Sequence, residues 1–219
     1  MRIVASGLAA DIPSCVFNTS PGHSITGTPR SPILLHLGER SFCSKAQVSD
    51  GPRARCPTPS PAWRKHALAF LDGLGLKTCD VLGYSLGGMV AQQMVQDRLS
   101  IFRRMILVGT APRGGEDIMH LDKPSLAKYL GDPNLKGYSV LQKIFFAPTE
   151  SSQAAGAAFI DRLIQRKEDR EPVSGPAVAQ AQMAAFRDWE KFTGQRFADL
   201  KTIPHPTLVV NGIHDEMNS

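Results

Sequence analysis

A serine flanked by glycines sits where an apolar strand gives way to a helix. Residues 83–88 read Gly83-Tyr84-Ser85-Leu86-Gly87-Gly88, a G-x-S-x-G pattern with one further glycine. The run Thr78 to Gly83, carrying Val81 and Leu82, predicts a short strand, and Met89 to Val95 predicts a helix. A serine at such a turn must adopt a strained backbone, which lifts its hydroxyl above the sheet. Glycines two positions either side let the strand and helix approach without a Cβ clash. The helix N-terminus then faces the hydroxyl, and the Leu86 N–H is aimed at a developing oxyanion. That is the chemistry of a serine nucleophile. The competing reading is a glycine-rich turn whose serine caps the helix. Nucleotide binding is excluded, because these glycines lack both the G-x-G-x-x-G order and a following Lys-Ser/Thr.

The elements around this turn alternate. Lys65 to Leu74 places Ala67, Leu68, Phe70, Leu71 and Leu74 on one helical side, and Gly75 ends it. After the turn, a helix runs to about Leu99, and Arg104 to Gly109 reads as a strand. Between residues 112 and 200 no strand pattern occurs. Helices are expected at Ser125–Leu130, Tyr138–Phe146, Ser152–Lys167 and Ala177–Thr193, with Gly/Pro punctuation between them. The last strand is Pro206 to Gly212, followed by Ile213-His214-Asp215. Continuous apolar strands alternating with helices predict an α/β fold with a partial, doubly wound parallel sheet and a helical lid insertion.

Composition bounds the possibilities. The chain has 219 residues, 42% hydrophobic and 21% charged, as for a globular protein with one core. A formal net charge of +5 is mildly basic, but the cations form no stripe, so nucleic-acid binding has no support. No apolar run is long enough for a membrane span, and residues 1–20 lack a signal-peptide pattern. Cys15, Cys43, Cys56 and Cys79 show no metal-ligand spacing and read as free thiols, which points to a cytoplasmic protein without a metal. No cofactor motif occurs, and oligomeric state is left open.

A seam falls near residue 62. Residues 1–62 hold eight of the 16 prolines and three of the four cysteines, with little periodicity, and are expected to be irregular. Three segments follow: residues 63–111 and 201–219 as the α/β core, and 112–200 as the lid.

Residues 63–217 resemble the middle of an α/β-hydrolase of the esterase, lipase and haloperoxidase-like superfamily. The resemblance is carried by His66 to Asp72, Gly83 to Ala91, Met105 to Ala111 and Pro206 to Asp215. It implies Ser85 as nucleophile, Leu86 as an oxyanion-hole backbone donor, Asp215 as the triad acid and Tyr84 as a substrate contact. The implied substrate is a small ester or acyl compound, with no cofactor. For Asp215 the alternative is an ordinary turn residue.

Two parts of the family pattern lack a match. The second oxyanion donor has only Leu34-Leu35-His36-Leu37-Gly38 as a candidate, with an extra residue between His and Gly. The family's histidine lies well beyond the acid, whereas Ser219 follows Asp215 by four residues. His23, His36, His66, His120, His205 and His214 are the possible stand-ins, His120 alone being placed over the pocket. These features lead to the expectation of a truncated chain whose first 62 residues come from a shifted frame or mis-joined exon. Its ester hydrolysis is expected to be weak or absent. The alternative function is a catalytically dead, hydrolase-derived ligand-binding or interaction protein, with Phe145-Phe146 and Met183 to Phe186 lining a pocket.

Overall fold

Two apolar runs form the centre of the sheet in the computed structural model, which describes residues 14–17, 61–73, 75–115, 128–129, 132–135, 137–165, 176–192 and 194–215. In chain order the strands are β1 (Ser14–Phe17), β2 (Cys79–Tyr84), β3 (Phe102–Val108) and β4 (Thr207–Val210). They pair in the order β1-β2-β3-β4, and every pair is parallel. The expected adjacency of the last three strands is therefore present, with ends moved by a few residues. β2 buries almost its whole length because strands flank it on both sides. Cys79, Asp80, Val81 and Gly83 are buried, as suits a parallel sheet covered by helices.

Helix α1 (Pro61–Gly73) joins β1 to β2, and α2 (Leu86–Asp97) joins β2 to β3. Proline opens α1 at a position where its missing N–H costs nothing. Past its end, Gly75 adopts φ +66°, and its N–H donates to Asp72 O at 2.9 Å. α2 is the buried helix. Residues Leu86 through Val95 are all buried, so it is enclosed on every side. It lies on β2 and β3, and α1 packs against it. Trp63, Ala67, Leu68 and Leu71 of α1 join Met89, Val90, Met94 and Val95 of α2 in one core with Val81, Met105 and Leu107.

Two buried polar groups of this core, Gln92 and Asp80, are paired. Gln92 is 1% exposed, and its side-chain N–H donates to Gly88 O at 3.2 Å and Ala111 O at 3.1 Å. Asp80 on β2 is held by two bonds from Arg103 on β3, at 3.1 and 2.8 Å, in the forked geometry that suits guanidinium and carboxylate. Cys79 is fully buried in the same core.

Between β3 and β4 the chain forms α3 (Ser139–Phe145), α4 (Glu150–Gln165) and α5 (Pro176–Glu190), with no strand among the described residues. α3 and α4 pack together, with the Phe146 and Phe159 rings 5.8 Å apart. α5 reaches the core: Ala185, Phe186 and Trp189 are buried in it. The Trp189 ring N–H donates to Ala111 O at 3.0 Å, sharing that acceptor with Gln92.

The N-terminal segment, expected to be mostly irregular, contributes one strand: Ser14–Phe17 pairs in register with Asp80–Gly83. Four residues are too few to display a period-two pattern, and pairing with β2 supplies the order that local sequence does not. Of the expected helix 125–130, only residues 128 and 129 are described, and they are helical.

Candidate active site

Ser85 leaves β2 with φ 52° and ψ −128°, a backbone region that side chains other than glycine rarely occupy. Such a residue costs about 1–3 kcal/mol and persists only where its surroundings fix it. Here they do. The Ser85 N–H donates to Val108 O at 2.9 Å, and its own carbonyl accepts from the Gly88 N–H at 2.8 Å. The serine is thus tied to β3 on one side and to the first turn of α2 on the other.

The glycines make this turn possible. A Cβ placed on Gly83 would stand 2.5 Å from Gly88 Cα and 2.7 Å from Gly87 O, both backbone atoms that cannot move aside. One placed on Gly88 would meet Thr110 Cγ2 at 2.5 Å. Strand, helix and the chain after β3 therefore converge within less than a methyl group's width. The two first amides of α2, Leu86 and Gly87, have no acceptor inside the helix. They lie at the positive end of the helix dipole, next to Ser85.

Asp215 lies at the same edge of the sheet. It ends a turn in which its N–H donates to Gly212 O at 3.2 Å, just past β4. β3 ends at Gly109, with φ +53°, whose N–H donates to Val210 O at 2.9 Å. A Cβ on Gly109 would stand 3.4 Å from Tyr84 Cε2 and 3.7 Å from Asp215 Oδ2. The aromatic ring and the carboxylate therefore border the same space over one glycine. Burial pushes the Tyr84 hydroxyl up to about 12, and the Asp215 carboxylate adds to the rise. The phenol is accordingly neutral, and a donor, at physiological pH.

Two histidines are placed relative to the site. The His205 ring Nε2–H donates to Leu99 O at 2.9 Å, at the edge where β3 and β4 begin, opposite the one that carries Ser85. His214 is exposed beside Asp215. His23, His36, His120 and the Leu34–Gly38 loop lie outside the described residues. Met183 and Phe186 pack on or in the core, so they act there as packing residues. Phe145 is 43% exposed and Phe146 meets Phe159. Trp63, Leu86, Met89, Val90, Ala185 and Trp189 line a small apolar crevice that places α5 against α2. Among the described residues, no group of three or more His, Cys, Asp or Glu could hold a metal ion, and no helix is long and apolar enough to cross a membrane.

Two parts of this site were not legible beforehand. Gly109, as the meeting point of Tyr84 and Asp215, had one available signal, a glycine at the end of an apolar strand. Gln92 had another, a polar residue inside an apolar helix face.

Comparison with known proteins agrees with this fold. The model of the Alpha/beta hydrolase family matches residues 6–219, which includes most of the segment before residue 63 that the sequence set apart. An alpha/beta hydrolase fold protein from Chitinophaga pinensis is 28% identical, with a TM-score of 0.69 over 96% of this chain and 74% of that one. A meta-cleavage product hydrolase from Pseudomonas fluorescens IP01 is 16% identical, with a TM-score of 0.55, covering 94% and 76%. A bromoperoxidase from Bacillus anthracis is 14% identical, with a TM-score of 0.53, covering 94% and 75%. The last two likenesses show the fold alone. No curated protein matches the chain by sequence.

Proposed function

The chain belongs to the alpha/beta hydrolase family, and we propose that within it the protein is a serine hydrolase for a carboxylic ester or similar small acyl substrate. The observation that carries this reading is Ser85 itself, a non-glycine residue at φ 52° over a close strand–helix approach. Strain of that kind is kept where function uses it, and here the turn is read as a nucleophile elbow.

In this mechanism the Ser85 oxygen attacks the acyl carbon while its proton passes to a histidine base, for which His120, outside the described residues, is the stand-in that the sequence offers. The carbonyl electrons collect on oxygen, where the Leu86 N–H and the α2 dipole stabilise them. Collapse expels the alcohol, which takes the proton, and water then releases the acid by the same route. Asp215 orients the base and balances its charge, as the acid does in Ser-His-Asp sites. Tyr84 contacts the substrate, and the helices between β3 and β4 serve as a lid. The requirement for a base is severe: removing the histidine of such a site costs on the order of a millionfold. His205, at the opposite sheet edge, is not suited to the task.

Hydrolysis of p-nitrophenyl acetate by the wild type and Ser85→Ala tests the reading. Turnover lost in the variant supports it; turnover that survives the substitution contradicts it. A second reading, a hydrolase-derived binding protein, draws on His205 being bonded at the far edge instead of facing Ser85. A folded chain without any Ser85-dependent turnover would favour it.

A further inference from the structure

The strand before Asp215 and the turn that carries it are largely exposed. Leu208 and Val209 of β4 are 57% and 62% exposed, and Ile213 is 96% exposed. Asn211, Gly212 and His214 are exposed as well. On the inner side, a Cβ at Gly109 would stand 3.4 Å from Tyr84 Cε2 and 3.7 Å from Asp215 Oδ2, so the ring and the carboxylate border the same space above that glycine.

We propose that Tyr84 is a positioning residue for Asp215, its ring and the space left by Gly109 fixing the carboxylate at the sheet edge that carries Ser85. This rests on the serine-hydrolase reading above and deepens it. Tyr84 is the last residue of β2, paired with Val108, and its peptide bond leads directly into Ser85. One stretch of backbone therefore sets both the serine and the boundary of the acid. The bond from Ser85 N–H to Val108 O locks that stretch to β3, and Gly109, the next residue, anchors the end of β4 through Val210 O. A side chain at Gly109 would press on the ring and the carboxylate together, and φ +53° favours glycine there in any case. The neutral phenol can also donate toward a carboxylate, which a charged phenolate could not.

The experiment compares the wild-type chain with Tyr84→Leu, Tyr84→Phe and Asp215→Asn. The chain has three tyrosines, Tyr84, Tyr129 and Tyr138, so carbon-13 labelling of the ring Cζ gives three resonances, and Tyr84→Phe identifies one. In Asp215→Asn the Tyr84 resonance is expected to move and to titrate at lower pH, while the other two stay. In parallel, fluorophosphonate labelling of Ser85 is expected to slow about a hundredfold in Tyr84→Leu, the loss that goes with about 1 Å of misplacement. Tyr84→Phe should recover most of that loss. With p-nitrophenyl acetate the change should fall on kcat, whereas a substrate contact alone would raise KM. A Tyr84 resonance indifferent to Asp215→Asn, or full labelling in Tyr84→Leu, overturns the proposal. If the wild type does not label but the resonance responds, the serine-hydrolase reading fails while the Tyr84–Asp215 contact stands.

Discussion

The two strands that bring Ser85 and Asp215 to one edge are held by different means. β2 lies inside the sheet, and the helix that follows it is buried from Leu86 to Val95. β4 pairs with β3 on one side, and its Leu208 and Val209 are more than half exposed. The placement of Ser85 is therefore local, set by glycines, two backbone bonds and a buried helix within a short stretch of chain. That of Asp215 is distant, set by what β3 and Tyr84 present to it. A local device is robust to changes elsewhere; a distant one depends on every surface it touches.

Substitutions can test this contrast. Met94→Ala, at a fully buried site of α2, should cost about 2–5 kcal/mol, the range for deleting a large core side chain. Urea unfolding would measure it, and a loss below about 1 kcal/mol would mean that the helix is less tightly enclosed than described. Arg103→Leu should cost about 3 kcal/mol, because it strands the buried Asp80 charge. That figure is the lower end of the range for broken buried pairs, since Arg103 is itself partly exposed. Replacing both residues with apolar ones should recover much of the loss. Gly83→Ala should cost up to about 3 kcal/mol, as overpacking against backbone leaves nothing to yield. It should also abolish labelling of Ser85 by a fluorophosphonate, even where the chain stays folded. Val209→Thr on β4 should change stability by less than about 0.5 kcal/mol, as for an ordinary surface site. A large effect there would show that β4 is held as firmly as β2, and the contrast would dissolve.

The same contrast explains what the sequence disclosed. The strand–turn–helix around Ser85 was legible because its signal is compact: glycines at fixed spacing, a short continuous apolar run, then an apolar helix. β3 and β4 were legible as apolar runs, and Asp215 by its place after the second. β1 was not, since Cys15, Val16 and Phe17 form too short a run among prolines and serines, and only β2 gives it a partner. The Asp80–Arg103 pair was hidden for a similar reason. Its members are far apart in sequence, and two charged residues near strand starts look like ordinary surface groups until the register aligns β2 with β3. The meeting of Tyr84 and Asp215 over Gly109 depends on three strand ends at once, so no single window of sequence could reveal it.

The central claim is that the strained Ser85 turn presents a reactive serine. The most direct measurement treats the folded 219-residue chain with a fluorophosphonate probe and maps the modified peptide by mass spectrometry. The account predicts a single adduct, on Ser85, that is absent in Ser85→Ala. A folded chain that remains unmodified, or carries its adduct on another residue, would contradict it.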